Sequence, residues 1–417
     1  MQTRLAAEFR DTREGQEAEA IVRKCVHCGF CLATCPTYQL LGDELDSPRG
    51  RIYLMKQVLE GAPVTRKTQL HLDRCLTCRN CETTCPSGVA YGRLVHIGRQ
   101  IVDERVERPA AERLVHGALR AGLTSPLFGP AMALGRLVRP LLPSVLKDKV
   151  PPSAGARARR WPQREHRRKV LLLLGCVQPS MMPNIDSATA RVLDAAGIQS
   201  LVADGAGCCG AVRAHLGDPA GGLSDARRNI DAWWPLVQGL TAQGRVEAIV
   251  FNASACGLQV KEYGQALAHD SAYADKAARV SALARDLSEL LPDLVPTLAG
   301  RIDRSRGSGA RRLAYHPPCT LQHGQRLSGQ VEDSLRALGF EVSLAAVESH
   351  LCCGSAGTYS VLQPELAARL RERKRGHLAA LDAQVVVSAN IGCIQHLQGG
   401  NGVPVRHWIE VLDEALG

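Results

Sequence analysis

The sequence predicts an α+β protein with several domains, in which a helical N-terminal domain precedes two α/β lobes that duplicate each other. Two observations predict this fold. One spacing of four cysteines occurs twice within the first hundred residues, between helical stretches. Beyond them, apolar runs alternate with amphipathic stretches in the same order twice, and this alternation is typical of parallel sheets. A chain of 417 residues is long enough for two or three domains.

The cysteine content indicates metal or redox chemistry. The chain has 16 cysteines, and its charged N-terminus lacks the apolar segment of a secretory signal. We therefore expect a cytoplasmic protein, in which clustered thiols bind metals or take part in redox reactions rather than form disulfides. The apolar run at 122–135 contains two prolines and is too short to span a membrane.

Helices are predicted on both sides of each cysteine block in the first domain, residues 1–104. The stretch 5–24 is predicted to lead into the first block. A helix is expected to begin after Pro48 and to end near Gly61, because proline favours the first helical turn and glycine the end. A third helix is expected at 91–107. The cysteine blocks would then be loops between helices.

The two blocks, CVHCGFCLATCP at 25–36 and CLTCRNCETTCP at 75–86, have the spacing of [4Fe–4S] ligands. Two-residue gaps let one loop wrap three corners of a cluster, and in the two-cluster pattern the fourth cysteine binds the other cluster. A zinc site would separate its cysteine pairs by a longer gap. We predict two clusters with crossed ligands: Cys25, Cys28, Cys31 and Cys85 for the first, and Cys75, Cys78, Cys81 and Cys35 for the second.

Residues 105–168 are predicted to form a connector rich in proline and arginine, with amphipathic helices. The stretch 156–169 carries seven basic residues and one acidic residue. This charge suits a solvated linker, an anionic membrane surface or an acidic partner. Nucleic acid is not expected, because no recognition motif or aromatic platform accompanies the charge. The amphipathic stretches either lie on lipid or another subunit, or cover their own domain.

The first α/β lobe is predicted at 169–300. RKVLLLLGC reads as a buried parallel strand that ends in Cys176. A helix closed by Gly197 follows, then the strand IQSLVADG and the loop AGCCGAV. A helix over 225–240 and the strand VEAIVFNASAC, which ends in Cys256, complete the pattern.

The second lobe, at 301–417, repeats this order. The strand RRLAYHPPC ends in Cys319, and a helix, the strand EVSLAAVES and the loop HLCCGSAG follow. A long helix and the strand QVVVSANIGC, which ends in Cys393, come last. Cys176 and Cys208 are 32 positions apart, and Cys319 and Cys352 are 33 apart. Matching orders of Cys, Cys-Cys-Gly and Cys indicate an internal duplication.

Each lobe offers a candidate metal site, since ligands of parallel sheets gather at the carboxyl ends of the strands. The hypothesis is a further iron–sulfur or zinc site; the alternative is buried, inert thiols. His396 is either a further ligand or a surface histidine. The candidate ligands are Cys319, Cys352, Cys353 and Cys393 in the second lobe, and Cys176, Cys208, Cys209 and Cys256 in the first.

Other cofactor motifs are absent from the sequence. There is no glycine-rich dinucleotide loop, P-loop or Gly-x-Ser-x-Gly elbow. We therefore predict a protein that carries electrons, has no catalytic residue of its own, and leaves substrate chemistry to another chain.

The motifs resemble those of one family, the iron–sulfur subunits of glycolate oxidase (glycolate dehydrogenase). The resemblance rests on CVHCGFCLATCPTYQLLGDELDSPRGRIYLMK, HLDRCLTCRNCETTCPSGVAYG, the two Cys-Cys-Gly (CCG) lobes and the closing VRHWIEVLDEAL. It covers nearly the whole chain and is most specific in the first hundred residues. It implies that the N-terminal domain is a helical ferredoxin-type domain and that the lobes are CCG cysteine-rich domains.

The resemblance also implies a role in a hetero-oligomer. Partner subunits that bind FAD oxidise glycolate to glyoxylate, and this chain passes the electrons to a membrane quinone from a peripheral position on the inner face of the cell membrane. The chain alone would not be active. Related alternatives are lactate or glycerol-3-phosphate dehydrogenase subunits and heterodisulfide-reductase-like enzymes. The last have a Cys-x-x-Cys where this chain has CGLQ and CIQH, and this departure argues against disulfide reduction.

Overall fold

The computed structural model describes residues 1–141, 150–151, 158–302, 311–398 and 402–417. Helices form the N-terminal part, and two four-stranded parallel sheets with flanking helices follow. The predicted α+β class is confirmed. Part of the basic stretch at 156–169 lies outside the described residues.

The N-terminal part consists of helices joined by short loops. Its helices and those of the connector are α1 (Ala7–Arg10), α2 (Arg13–Lys24), α3 (Pro36–Leu41), α4 (Pro48–Leu59), α5 (Arg66–Asp73), α6 (Asn80–Thr84), α7 (Tyr91–Arg105), α8 (Ala110–Thr124) and α9 (Phe128–Leu137). As predicted, one helix begins at Pro48 and one follows the second block. The helix predicted at 5–24 is divided into α1 and α2, and the second block, predicted to be a loop, contains the short helix α6.

Side-chain caps set where three of these helices begin. The hydroxyl oxygens of Thr12, Ser47 and Thr65 accept hydrogen bonds from backbone N–H groups in the first turns of α2, α4 and α5. Such a cap is worth about 1 kcal/mol. The helices pack around a buried apolar cluster that includes Val22 and Leu94. The caps and the core together fix the loops that carry the cysteines.

The two sheets have the same topology. The first contains β1 (Arg168–Leu172), β2 (Ile198–Leu201), β3 (Ala248–Phe251) and β4 (Ala284–Asp286) in the order β2-β1-β3-β4. The second contains β5 (Arg312–His316), β6 (Glu341–Leu344), β7 (Val385–Ser388) and β8 (Val405–His407) in the order β6-β5-β7-β8. All pairings are parallel.

The helices of the lobes complete the α/β pattern. In the first lobe they are α10 (Gln178–Met181), α11 (Asn184–Ala195), α12 (Ala211–His215), α13 (Pro219–Gln238), α14 (Ser254–Lys261), α15 (Tyr263–Ala266), α16 (Ala274–Leu283) and α17 (Leu287–Ala299). In the second they are α18 (Gln330–Ala337), α19 (Tyr359–Leu362), α20 (Pro364–Ala379), α21 (Ile391–Leu397) and α22 (Trp408–Leu416).

Two features of the lobes differ from the sequence prediction. The edge strands β4 and β8 were not predicted, because three residues are too few to produce a periodic signal. Cys256 and Cys393 were expected at the ends of strands but lie within α14 and α21, one turn beyond the strands. Each cysteine is therefore held by a helix as well as by the sheet edge.

The lobes share one apolar core. Buried residues of both lobes, among them Leu193 of α11 and Leu412 of α22, belong to the same cluster. The ion pair between Arg191 and Asp413, with a nitrogen–oxygen distance of 2.6 Å, joins the same two helices. The lobes therefore form a single packed body.

The N-terminal domain packs on both lobes. The Asn80 side chain donates a hydrogen bond to the His350 carbonyl (3.3 Å), and the Tyr359 hydroxyl donates one to the Arg74 carbonyl (3.1 Å). Arg79 pairs with Glu262 of the first lobe, with one nitrogen–oxygen distance of 3.0 Å. The cysteine blocks lie next to the lobes as a result.

The connector helices α8 and α9 bury none of their side chains fully. Among the basic residues that follow, Arg159 pairs with Asp413, and Arg168 pairs with Glu247. No helix in the described ranges is both long and apolar enough to cross a membrane.

Candidate functional site

The first set of predicted ligands lines an open cavity. A space of about 430 Å³ lies between the loop after α2 and the loop after α6. Its lining includes Cys25, Cys28 and Cys31 from the first block and Cys85 from the second. The structure thus brings the four predicted ligands of the first cluster together across two loops.

The backbone of the two blocks repeats the same turns. His27 and Gly29 have φ angles of 55° and 86°, and Thr77 and Arg79, at the matching places of the second block, have 53° and 59°. Left-handed residues are uncommon outside glycine, so their recurrence at matching places marks a specific loop shape. In the second block, the Thr77 amide donates to the Cys75 sulfur at 3.3 Å, as in loops that bond to cluster sulfurs.

The second set is deeper. Cys75 and Cys81 are buried, Cys78 is partly buried, and Cys35 reaches them from the first block. Burial, followed by the charges of Cys78, Cys75 and Cys35, raises the pKa of the Cys81 thiol well above its ordinary value. These four sulfurs therefore lie near one another. Burial disfavours the charged thiolate form, so thiols ionise in this site only if cations are nearby.

The two sets adjoin each other. Cys81, assigned to the second set, also borders the first cavity, and Cys31 of the first set interacts electrostatically with Cys35. The donors suit two [4Fe–4S] clusters: eight thiols, four to each site, on loops of one shape. Their assignment as ligands stays a prediction.

A group of charged side chains around the buried Asp46 lies next to the second set of cysteines. Asp46 is fully buried, and its carboxylate accepts from Arg51 (3.2 Å) and Arg74 (2.9 Å) and lies 3.1 Å from a ring nitrogen of His71. Burial opposes ionisation of Cys75, but the positive charges of Arg51 and Arg99 lower the pKa of its thiol overall. The sequence prediction missed Asp46, although its place beside Ser47 and Pro48 at the start of a helix was visible.

The four candidate cysteines of the second lobe form a buried series. The sulfurs of Cys319 and Cys352 are 3.8 Å apart, and the Gly354 amide donates to the Cys352 sulfur at 3.4 Å. Cys353 interacts with Cys352 and Cys393. The series also approaches the N-terminal domain, because Cys78 interacts with both Cys319 and Cys352. No sequence signal placed these thiols next to Cys78.

Two histidines of this lobe differ from expectation. His396 is buried rather than on the surface, and a ring nitrogen lies 3.2 Å from the Ala367 carbonyl. His316, which the sequence prediction did not single out, lies at the end of β5 within reach of Cys353 and Cys393. Burial lowers the pKa of His316 well below its ordinary value, so its ring is neutral near pH 7.

The first lobe holds a similar series of thiols. Cys208 interacts with Cys176 and Cys209, and these interactions lower the pKa of the Cys208 thiol. Cys209 also interacts with Cys256. The Gly210 amide donates to the Cys208 sulfur at 3.4 Å, as Gly354 does in the second lobe. The structure therefore brings all four predicted cysteines of this lobe together.

Comparison with protein families matches three segments of the chain. Residues 21–89 match the 4Fe-4S dicluster domain family. Residues 170–261 and 313–398 each match the cysteine-rich domain family named CCG. The matched segments contain both cysteine blocks and both series of lobe cysteines.

Comparison with curated proteins finds relatives along the whole chain. The glycolate oxidase iron-sulfur subunit of Escherichia coli K12 is 52% identical over 417 residues, which cover 100% of this chain and 99% of that protein. The "probable glycolate oxidase iron-sulfur subunit" of Bacillus subtilis is 28% identical, covering 96% and 95%. Lactate utilization protein A of Geobacillus thermodenitrificans is 26% identical over 253 residues, covering 59% of this chain and 98% of that protein.

Proposed function

This chain belongs to the family of glycolate oxidase iron–sulfur subunits, and we propose that it carries electrons within a flavin-dependent glycolate dehydrogenase complex. Partner subunits that bind FAD oxidise glycolate to glyoxylate and release two electrons and two protons. The electrons leave the flavin through this chain and reduce a membrane quinone.

One observation carries this proposal: the eight cysteines of the two blocks lie in two adjoining groups of four. Cys81 borders the cavity of the first group although it is assigned to the second. Each bound [4Fe–4S] cluster supplies one-electron redox chemistry. Two adjoining sites on one domain are suited to pass electrons through the protein.

The two predicted cluster sites differ in exposure. Cys28 is exposed, and its neighbours Val26 and Phe30 are 67% and 61% exposed. A redox partner can therefore approach the first site closely. The second site is covered by the second lobe, where Cys78 packs against the buried apolar group around Cys319 and Tyr359.

Positively charged side chains of this chain lie beside the second site and favour thiolate ligands there. Arg51 is buried, with one side-chain nitrogen donating to the His71 carbonyl at 2.7 Å. Arg99 donates to the carbonyls of Leu72 and Cys75 at 2.7 Å each. These fixed cations offset part of the negative charge that a cluster and its thiolates bring into a buried site.

The connector supplies a face for peripheral binding to the inner surface of the membrane. Large apolar side chains stand exposed on α8, on α9 and just after them. The residues are Leu114, Val115, Leu127, Leu134, Leu137 and Leu141. Residues 113–141 include four arginines and no acidic residue. Apolar side chains among arginines suit the headgroup region of an anionic bilayer.

A reconstituted complex tests the proposed function. The full chain is co-expressed with its flavin-bearing partner subunits, purified without oxygen, and assayed with glycolate against a soluble dye and a quinone. We expect Cys75→Ser to abolish glycolate-driven quinone reduction while dye reduction at the flavin persists. The surface variant Glu247→Gln serves as the control and should keep both activities.

Two results would contradict this function. Quinone reduction that persists in a Cys75→Ser complex without the second cluster would exclude the chain from the electron path. Turnover with lactate in place of glycolate would assign the complex to another 2-hydroxy acid.

A further inference from the structure

His316 is a buried imidazole without a hydrogen-bond partner. Its residue is 1% exposed, and neither Nδ1 nor Nε2 has a partner among the described residues. A buried polar group that lacks partners costs about 1–3 kcal/mol. Native proteins rarely leave both ring nitrogens of a buried histidine without a hydrogen bond or a metal ion. The His316 ring is therefore a candidate ligand.

Two thiols lie beside this ring. One ring nitrogen of His316 and the sulfurs of Cys353 and Cys393 all lie within 4.8 Å of one another, and all three residues are buried. Zn–S bonds are about 2.3 Å long and Zn–N bonds about 2.0–2.1 Å, so ligand atoms on one ion are at most about 4.6 Å apart. Small side-chain adjustments would therefore let one ion contact all three atoms.

We propose that His316, Cys353 and Cys393 bind one zinc ion in the second lobe. A neutral imidazole and two thiolates around Zn²⁺ have no net charge, which suits a fully buried site. Nitrogen and sulfur donors in one small group are the set that zinc prefers. The proposal does not depend on the electron-transfer function, because the zinc ligands are not among the eight cysteines of the two blocks.

The first lobe provides an internal comparison. In the second sheet, His316 at the end of β5 pairs with Ser388 of β7. In the first sheet, Leu172 of β1 pairs with Val250 of β3, so the next residue, Leu173, lies opposite Phe251. Leu173 therefore occupies the position in the first lobe that His316 occupies in the second. Both positions also lie three residues before the first cysteine of their lobe. An apolar Leu173 cannot bind metal. The duplication therefore predicts a histidine-containing zinc site in the second lobe and none in the first.

A second group of potential ligands does not compete with this site. Asp43, Asp46 and His71 also lie close together. The Asp46 carboxylate is already bound by Arg51 and Arg74, and two nearby cations disfavour a metal ion there.

Metal analysis of the untagged full chain, purified without oxygen, tests the proposal. We expect about one zinc per chain in addition to the iron of the two clusters. His316→Leu, which copies the first lobe, should lose the zinc and keep the iron. The matched control Leu173→Val, at the equivalent position of the first lobe, should keep both metals. Zinc-free wild type, or zinc that is unchanged in His316→Leu, would overturn the proposal.

X-ray absorption at the zinc edge separates ligation from folding damage. In the wild type we expect two sulfur neighbours at about 2.3 Å and one nitrogen at about 2.0–2.1 Å. His316→Cys should keep the zinc and exchange this nitrogen for a third sulfur. An unchanged nitrogen neighbour in His316→Cys would show that the zinc lies elsewhere. Loss of iron with retained zinc would count against the electron-transfer function alone.

Discussion

Cys35 and Cys85 each belong to one cysteine block in sequence and to the other in space. Cys85 lines the cavity formed by the first block, and Cys35 interacts with Cys81 of the second. The prolines that follow them, Pro36 and Pro86, redirect the chain away from its own block. Crossed ligands, as predicted here, would tie the two loops together through two clusters.

Paired serine substitutions test the crossed ligands. Cys35→Ser should perturb the cluster of Cys75, Cys78 and Cys81, and Cys85→Ser should perturb the cluster of the first block. The reason is that each serine removes one thiolate from the partner loop's cluster. Electron paramagnetic resonance of reduced, anaerobic samples resolves the two signals. If Cys35→Ser instead abolished the signal that Cys28→Ser also removes, the crossed assignment would be wrong.

Asp186 makes the stability of the first lobe depend on pH. It is buried, and its Oδ1 accepts hydrogen bonds from Gln178 (2.6 Å) and Asn252 (2.9 Å). Burial raises the pKa of Asp186 to about 7, although these hydrogen bonds act to lower it. Between about pH 4 and 7 the folded carboxyl therefore keeps a proton that the unfolded chain has released. Stability must fall as the pH rises through this range.

Asp186→Asn should remove this pH dependence. Asparagine can accept the same two hydrogen bonds through Oδ1 and cannot ionise. Relative to wild type, the variant should gain stability from about pH 5 to 8, by up to about 4 kcal/mol, and no more at higher pH. Urea unfolding at several pH values measures this gain. An equal difference at every pH would mean that Asp186 titrates at its ordinary value when folded.

The Cys-Cys-Gly loops are the elements that hold the lobe cysteines in place. Gly354 has a φ of 94°, and a Cβ there would lie 2.7 Å from the Ala367 carbonyl oxygen and 2.9 Å from the Leu370 Cβ. At Gly210, with a φ of 91°, a Cβ would lie closer still to the Gly222 carbonyl oxygen. Only glycine allows this backbone to turn against the helix beside it.

Alanine substitutions at Gly354 and at Gly376 test whether the Cys-Cys-Gly loop requires glycine. Gly354→Ala should destabilise the protein by about 2–4 kcal/mol, because it adds a steric clash to a left-handed strain of about 1–3 kcal/mol. Gly376 lies inside α20 with open space around it, so Gly376→Ala should stabilise by up to about 1 kcal/mol. Thermal unfolding compares them. Equal midpoints for the two variants would show that the loop has no need of glycine.

At the scale of the whole molecule, the N-terminal domain lies against both lobes and leaves the first predicted cluster site at the surface. The Thr83 hydroxyl lies 3.0 Å from a ring nitrogen of His323 in the second lobe. The rings of His96 and His215, from α7 and α12, are 5.7 Å apart at the contact with the first lobe. The buried group around Cys319 and Tyr359 covers Cys78 of the second site, whereas Cys28 of the first site is exposed.

Charge placed on the connector face should release the chain from lipid. Leu134 and Leu137 are 61% and 79% exposed. The double variant Leu134→Glu/Leu137→Glu should sediment with phosphatidylglycerol vesicles at least tenfold less than wild type, because it removes apolar contacts and repels the anionic surface. Leu240→Glu, at a 75% exposed site on the first lobe, is the matched control. Undiminished sedimentation of the double variant would argue against this face as the membrane contact.

The sequence by itself determined the repeated cysteine spacing, the helices around it and the strand–helix order of both lobes. These are local properties: metal-ligand spacing, proline and glycine positions, and apolar periodicity. The short strands β4 and β8 gave no such signal, and Cys256 and Cys393 proved to lie in helices rather than at strand ends.

Only the tertiary structure decided which distant groups meet. It placed Cys78 beside Cys319, enclosed Asp46 between Arg51 and Arg74, and brought His316 to Cys353 and Cys393. Such contacts depend on how whole elements pack and on which side chains lose contact with water. A histidine three residues before a cysteine looks ordinary in sequence, and it becomes a candidate ligand only when burial leaves its nitrogens without other partners.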